Sequence, residues 1–249
     1  MHMKKQLKIG LIGFGRMGKE VTYQAGKKGH QVNATFDSKK PLSASSISES
    51  IDVLIDFSIP GAVLENIKLV AEVKKPIVIG TTGWNNNLTE VKSIVEANQM
   101  GVIYASNFSL GMNLFFKLVQ NAASLFNKLE DYDAFVHETH HNQKIDSPSG
   151  TALRLGEILL DNIQRKSEIL TQKSEGKISP HQLHISSTRV GSVPGTHRVG
   201  FDSNADTIEL THTARNRTGF ALGAICAAEW ITGKQGLFTL DDLLTDLMK

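Results

Sequence analysis

Apolar and polar positions follow two rhythms along this chain. Over the first hundred residues, short apolar runs alternate with stripes of helical period. Leu7 to Ile12 predicts a strand, Gly15 to Lys28 a helix and Gln31 to Phe36 a second strand. Ile51 to Phe57 is a nearly unbroken apolar run, the pattern of a strand buried on both faces. Pro60 to Lys74 and Asn85 to Asn98 carry helical stripes, and strands are predicted at Pro76 to Ile79 and Gly101 to Ala105. Strands alternating with helices predict an α/β fold with a doubly wound, Rossmann-type parallel sheet. Ser38 to Ser50 is polar and serine-rich, and reads as a connection without room for a full strand-helix unit.

Beyond Asn107 the rhythm changes. Ser109 to Asn127 predicts one long helix. Strand-like segments follow at Asp133 to Thr139, Leu183 to Val190, His197 to Ser203 and Asp206 to Thr213, with a helix starting at Gly150 between the first two. Clustered strands predict a second, α+β domain with a mostly antiparallel or mixed sheet. The tail, Phe220 to Ile231 and Leu237 to Leu247, is helical again. The expected domains are therefore 1–107 with 220–249, and 108–219.

Composition narrows the function classes. The 249 residues are 40% apolar and 21% charged, ordinary for a soluble globular protein. A net charge of +2, with no Lys/Arg run longer than two, argues against nucleic acid as a partner. No run of 18 apolar residues exists, so no membrane span is expected. The single Cys226 excludes an internal disulfide, fits a reducing compartment and reads as a buried, inert thiol. Met1 to Gln6 leads directly into the first strand pattern, so no signal peptide is expected.

Two stretches carry chemistry. Gly13-Phe14-Gly15-Arg16-Met17-Gly18 joins the first strand to the first helix. Glycines there permit a tight turn and close approach of backbone to a pyrophosphate, which a helix N-terminus favours. Asp37 ends the second strand, where a carboxylate binds ribose hydroxyls. That argues for NADH, while Lys39 and Lys40 keep NADPH open. Gly80-Thr81-Thr82-Gly83 follows the fourth strand, at the sheet end where such folds bind ligands.

The second stretch is Glu138 to Thr151. Ser149 reads as an N-cap with Gly150 and Thr151 in the first turn, and free amides at a helix start bind anions. Lys144 suits a carboxylate, and a histidine beside it, His140 or His141, moves protons near neutral pH. The stretch reads as a device that holds an acidic small molecule and protonates it. His137 to His141 also fits the H-E-x-x-H zinc pattern, but that pattern needs a helix. On a strand the outer histidines lie roughly 13 Å apart, at about 3.3 Å per residue, so no metal is expected. A non-catalytic nucleotide sensor would need the glycine turn but not His140 and Lys144. An unrelated imine or sugar dehydrogenase would lack the Pro148-Ser149-Gly150-Thr151 clamp.

These motifs, with Asp56-Phe57-Ser58, Asn107-Phe108-Ser109, Arg189-Val190-Gly191 and Gly195-Thr196-His197, resemble the 4-hydroxy-tetrahydrodipicolinate reductase (dihydrodipicolinate reductase) family. The likeness covers nearly the whole chain. It implies a cytoplasmic enzyme of lysine and diaminopimelate biosynthesis, a homotetramer that reduces a cyclic dicarboxylate with hydride from NADH or NADPH. It implies His140 as proton donor and Lys144 as catalytic lysine. His141, Lys144, Ser149, Gly150 and Thr151 fall on substrate contacts. Gly13, Gly15, Arg16, Met17, Gly18, Asp37, Phe57, Gly80, Thr81, Thr82, Ala105, Ser106, Asn107 and Phe108 fall on the cofactor side. The glycine turn is one residue shorter than is common in the family, and the connection after Asp37 is short.

Overall fold

A computed structural model describes residues 6–172 and 176–249. Met1 to Lys5, part of the run expected to enter the first strand directly, lie outside the described residues. The chain divides into two compact units. One runs up to Leu110 and resumes over Arg217–Lys249, and the other is Gly111–Asn216.

The first unit is built on six parallel strands: β1 (Lys8–Ile12), β2 (Gln31–Phe36), β3 (Val53–Asp56), β4 (Ile77–Ile79), β5 (Gly101–Tyr104) and β11 (Gly236–Thr239). Their order is β11-β5-β4-β3-β1-β2. Val53, Leu54, Ile55 and Asp56 are all fully buried because helices cover both faces. Val53 and Ile55 join the core shared with α1 (Arg16–Lys27), α6 (Thr218–Ile231) and α7 (Leu240–Leu247). Leu54 joins the opposite core, with α2 (Val63–Glu72) and α3 (Leu88–Asn98). Strand order reverses beside β1, which pairs with β2 on one side and β3 on the other. The C-terminal ends there form the crevice where doubly wound sheets bind ligands. The connection after Asp37 holds only a short 3-10 turn at Ala44–Ser46.

The second unit carries a five-stranded sheet in the order β10-β9-β6-β8-β7. Its strands are β6 (Asp133–His140), β7 (Glu168–Leu170), β8 (Gln182–Arg189), β9 (Thr196–Asp202) and β10 (Thr207–Thr213). The sheet is mixed: β6 pairs antiparallel with β9 and parallel with β8. α4 (Leu110–Phe126) and α5 (Gly150–Asn162) supply Val119, Leu155 and Leu159 to a core with Val136, Leu183 and Val199.

Three local expectations need correction. Leu237 to Thr239 is not helical but belongs to β11, the sheet edge beside β5. β7, three residues long, is absent from the pattern-based expectation. Cys226 is half-buried at the edge of the core rather than enclosed.

Candidate active site

The glycine turn of the first unit is fixed by close approach. Gly13 has φ of +87°, and a Cβ there would lie 2.3 Å from the Phe57 carbonyl oxygen. A Cβ on Gly18 would lie 2.4 Å from the Gly13 carbonyl oxygen. Neither position tolerates a side chain, and the turn is held against the strand end by Gly13 N–H donating to the Phe36 carbonyl at 2.8 Å. Gly15 is the N-cap of α1, its Cβ position is open and no side chain caps the helix start, where the first-turn amides have no intrahelical partner. The Phe57 ring packs against Gly80, where a Cβ would meet it at 2.1 Å.

Beside this turn lies a cleft of about 420 Å³, lined by Gly15, Arg16, Met17, Phe57, Gly80 and Thr82 among others. A second hollow of about 270 Å³ shares Met17, Phe57 and Gly80 and adds Ser106, Asn107 and Phe108. Cleft and hollow also include Ser58, Pro60, Arg217 and Phe220, which residue patterns alone did not place at the cofactor. Arg217 and Phe220 flank the start of α6, more than a hundred residues from the glycine turn, so only the fold brings them in. Asp37 and Ala105 line neither space. The Asp37 carboxylate caps its own turn, accepting from Lys39 N at 2.8 Å and Lys40 N at 3.0 Å. Ala105 N donates to the Ile79 carbonyl at the sheet end. Thr81 is buried and gives its hydroxyl to Asp56 at 2.8 Å. Asp56 also accepts from Ser58 N at 2.8 Å and Asn66 Nδ2 at 2.9 Å, tying together the loops after β3 and β4.

The polar cluster of the second unit follows from strand alternation. Ala134, Val136, Glu138 and His140 share the buried face of β6; His137 points the other way, with Nδ1 2.9 Å from the Ser186 hydroxyl. The H-E-x-x-H match therefore lies on a strand. Glu138 has no exposed side-chain surface. Its Oε1 accepts from Ser149 N, Ser187 Oγ and Arg189 Nη2, each at 2.9 Å, and its Oε2 from the Ser149 hydroxyl. Burial would raise this carboxyl, but His197, Ser149 and Arg189 outweigh it and hold the group below the usual carboxylate range.

His140 sits two residues on, with Nδ1 3.2 Å from Glu138 Oε2 but without hydrogen-bond alignment. Its ring meets His197 edge-on at 5.1 Å between centroids. Gly195, at φ +152°, presses backbone against the other side; a Cβ there would lie 2.9 Å from Nε2. Burial pulls the imidazole down to about 4, against the opposing pull of Glu138 and with help from His197, Lys144 and Arg189. In this state the ring is neutral at pH 7.

Ser149 caps α5, its hydroxyl oxygen accepting from Ala152 N at 3.2 Å. Gly150 is exposed with an open Cβ position, and it and Thr151 stand in the first turn of α5, where amides have no intrahelical partner. Lys144 Nζ is 2.7 Å from Asp146 Oδ1, which keeps the Asp146 carboxyl low. His141, half-buried, follows β6 in the same loop, and its carbonyl accepts from Lys144 N. His140, Lys144, Ser149, Gly150 and Thr151 thus stand around Glu138 and Arg189. Glu138 and His197 are the anchors that residue-type reasoning left unassigned. The alternation of β6 could have found Glu138, since a carboxylate in the buried register needs partners. Glu138, His140 and His197 are also spaced as a metal trio, with ligand atoms within 4.8 Å. Arg189 and the serine donors occupy the carboxylate instead.

Comparison with known proteins matches this arrangement to one family. Residues 7–108 match the dihydrodipicolinate reductase N-terminal domain and residues 111–244 its C-terminal domain. The chain belongs to the dihydrodipicolinate reductase family. A 4-hydroxy-tetrahydrodipicolinate reductase of Christiangramia forsetii is 41% identical over 98% of this chain and all of its own length. One from Methanosarcina mazei is 35% identical over 95% of this chain and 88% of its own. The fold is shared with a dipicolinate-bound dihydrodipicolinate reductase from Paenisporosarcina sp. TG-14, with TM-score 0.75 and 24% identity, covering 94% of this chain and 98% of that one. As a family member the chain is an NAD(P)H-dependent oxidoreductase. Among the described residues no helix is long and apolar enough to cross a membrane.

Proposed function

We propose that the chain reduces 4-hydroxy-tetrahydrodipicolinate to tetrahydrodipicolinate with NADH or NADPH, one hydride and one proton being added and the 4-hydroxyl leaving as water, a step of lysine and diaminopimelate biosynthesis. The observation that carries this reading is the cluster around Glu138: a neutral buried imidazole, a lysine and an open helix start, all suited to one small dicarboxylate. The first unit would hold the dinucleotide. Gly13, Gly18 and Gly80 let the turn, the Phe57 backbone and the Phe57 ring pack tightly, while the open Cβ position of Gly15 leaves room for a pyrophosphate to approach the backbone. Gly15, Arg16 and Met17 would take the phosphates. Phe57, Gly80, Thr81, Thr82 and the strand-end run Ala105, Ser106, Asn107 and Phe108 would border the nicotinamide. Asp37 would take a ribose hydroxyl on the carboxylate edge its turn leaves free. A bound nicotinamide supplies the hydride.

The second unit would bind the substrate and mediate assembly. Lys144 turns from Asp146 to one substrate carboxylate, and the Gly150 and Thr151 amides receive the same group. Ser149 orients the helix start, its hydroxyl already committed to Glu138. His141 steadies the bound acid. A dicarboxylate beside His140 favours the imidazolium, so the ring takes up a proton as substrate binds. Its Nε2, the nitrogen turned away from Glu138, then returns that proton to the reduced ring. Resemblance to the family supports a cytoplasmic homotetramer.

The test is a coupled assay, in which an upstream synthase supplies the unstable hydroxylated substrate. NADH or NADPH should be oxidised only when that synthase is active. No oxidation of either cofactor would contradict the proposal.

A further inference from the structure

We infer that Glu138 is a positioning residue for this reaction: one buried carboxylate orients His140 and supplies the negative charge against which its ring is protonated. The inference rests on the reading of His140 as proton donor. Its basis is geometric. Three strands and one helix converge on the carboxylate. β6 sets Glu138 and His140 on one face, two residues apart. β8 brings Ser187 opposite Glu138 and Arg189 opposite His140. β9 brings His197 opposite Glu138, its Nε2 3.6 Å from Oε2. α5 contributes Ser149 through both amide and hydroxyl.

The groups facing the imidazole are mostly cationic or basic. Arg189 comes from β8, His197 from β9, and Lys144, paired with Asp146, from the loop after β6. A further positive charge among them, in a buried place, needs an anion at short range. Glu138, 3.2 Å from Nδ1, is that anion. Its four donors keep it ionised and fix its position. Gly195 presses the ring from the opposite side, so the imidazole has little freedom to leave the carboxylate. An aspartate would fall one methylene short of the Ser187 and Arg189 donors.

The test is an NMR titration of the His140 ring in the wild-type protein, Glu138→Gln and Arg189→Met, free and with pyridine-2,6-dicarboxylate. The His140 midpoint should fall in Glu138→Gln, with proton affinity lower by roughly tenfold or more, the usual effect of losing an opposite charge at this range. It should rise in Arg189→Met. General loosening of the site would instead move both variants upward, toward the ordinary imidazole value. A raised or unmoved midpoint in Glu138→Gln overturns the inference. Should that variant not fold, Glu138→Asp carries the test: its shorter carboxylate should lower the midpoint, and a raised or unmoved midpoint there overturns the inference. The alkaline limb of kcat in Glu138→Gln should move to lower pH with the midpoint. If His140→Gln keeps full turnover, the donor reading itself fails. If His140→Gln loses turnover while the Glu138→Gln midpoint does not fall, only the positioning role of Glu138 fails.

Discussion

His140 shows how one residue's burial sets both stability and chemistry. Its pKa falls from an ordinary value near 6.5 to about 4 because burial disfavours the charged ring. Between those values the unfolded chain binds a proton that the folded protein does not. Stability from this group is therefore full above about pH 6.5 and declines as pH falls toward 4. At pH 5 the loss is on the order of 2 kcal/mol, from 1.36 kcal/mol per pKa unit. His212, lowered by burial and by His197, acts in the same direction. Urea midpoints at pH 7.5 and pH 5 test this: wild type should lose more than His140→Gln. Equal losses would mean that the folded ring titrates normally. The histidine was legible in the sequence by its neighbours Lys144 and Ser149. Its depressed basicity was not, because that depends on burial in the folded sheet and on His197, Lys144 and Arg189 meeting it there, against the opposing pull of Glu138.

At the scale of elements, the glycine turn and the loop after β4 depend on missing side chains. Gly80→Ala would drive a methyl into the Phe57 ring, which is itself packed against the core. Overpacking of this kind costs about 1–3 kcal/mol. We predict weakened NADH binding by titration with unchanged affinity for pyridine-2,6-dicarboxylate; wild-type NADH affinity would contradict the proposed role of this loop. Long elements were legible because each repeats its period several times. β1, β2 and α1 stand within about a residue of their expected bounds. β11 was not, since Leu237 and Phe238 continue the apolar stripe of α7. The break between them is conformational: Thr239 is extended, at φ of −109° and ψ of 171°, and caps the helix with Asp242. β7 is too short for any period to register.

At the scale of the molecule, chemistry is divided between two units of different architecture. The first has the parallel sheet and crevice, and the second has the polar cluster on a mixed sheet. Hydrogen exchange tests the assignment of ligands to units. NADH should slow exchange over Gly13 to Gly18 and Gly80 to Gly83, and pyridine-2,6-dicarboxylate over Glu138 to Thr151. The reverse pattern would contradict it. Turnover is where both halves must act, and it tests the central claim most directly. In the coupled assay, His140→Gln should lower kcat by roughly 10²–10⁴ with little change in KM. Lys144→Ala should also raise KM, because the carboxylate loses its ion-pair partner. Near wild-type kcat in His140→Gln would contradict proton delivery by this imidazole.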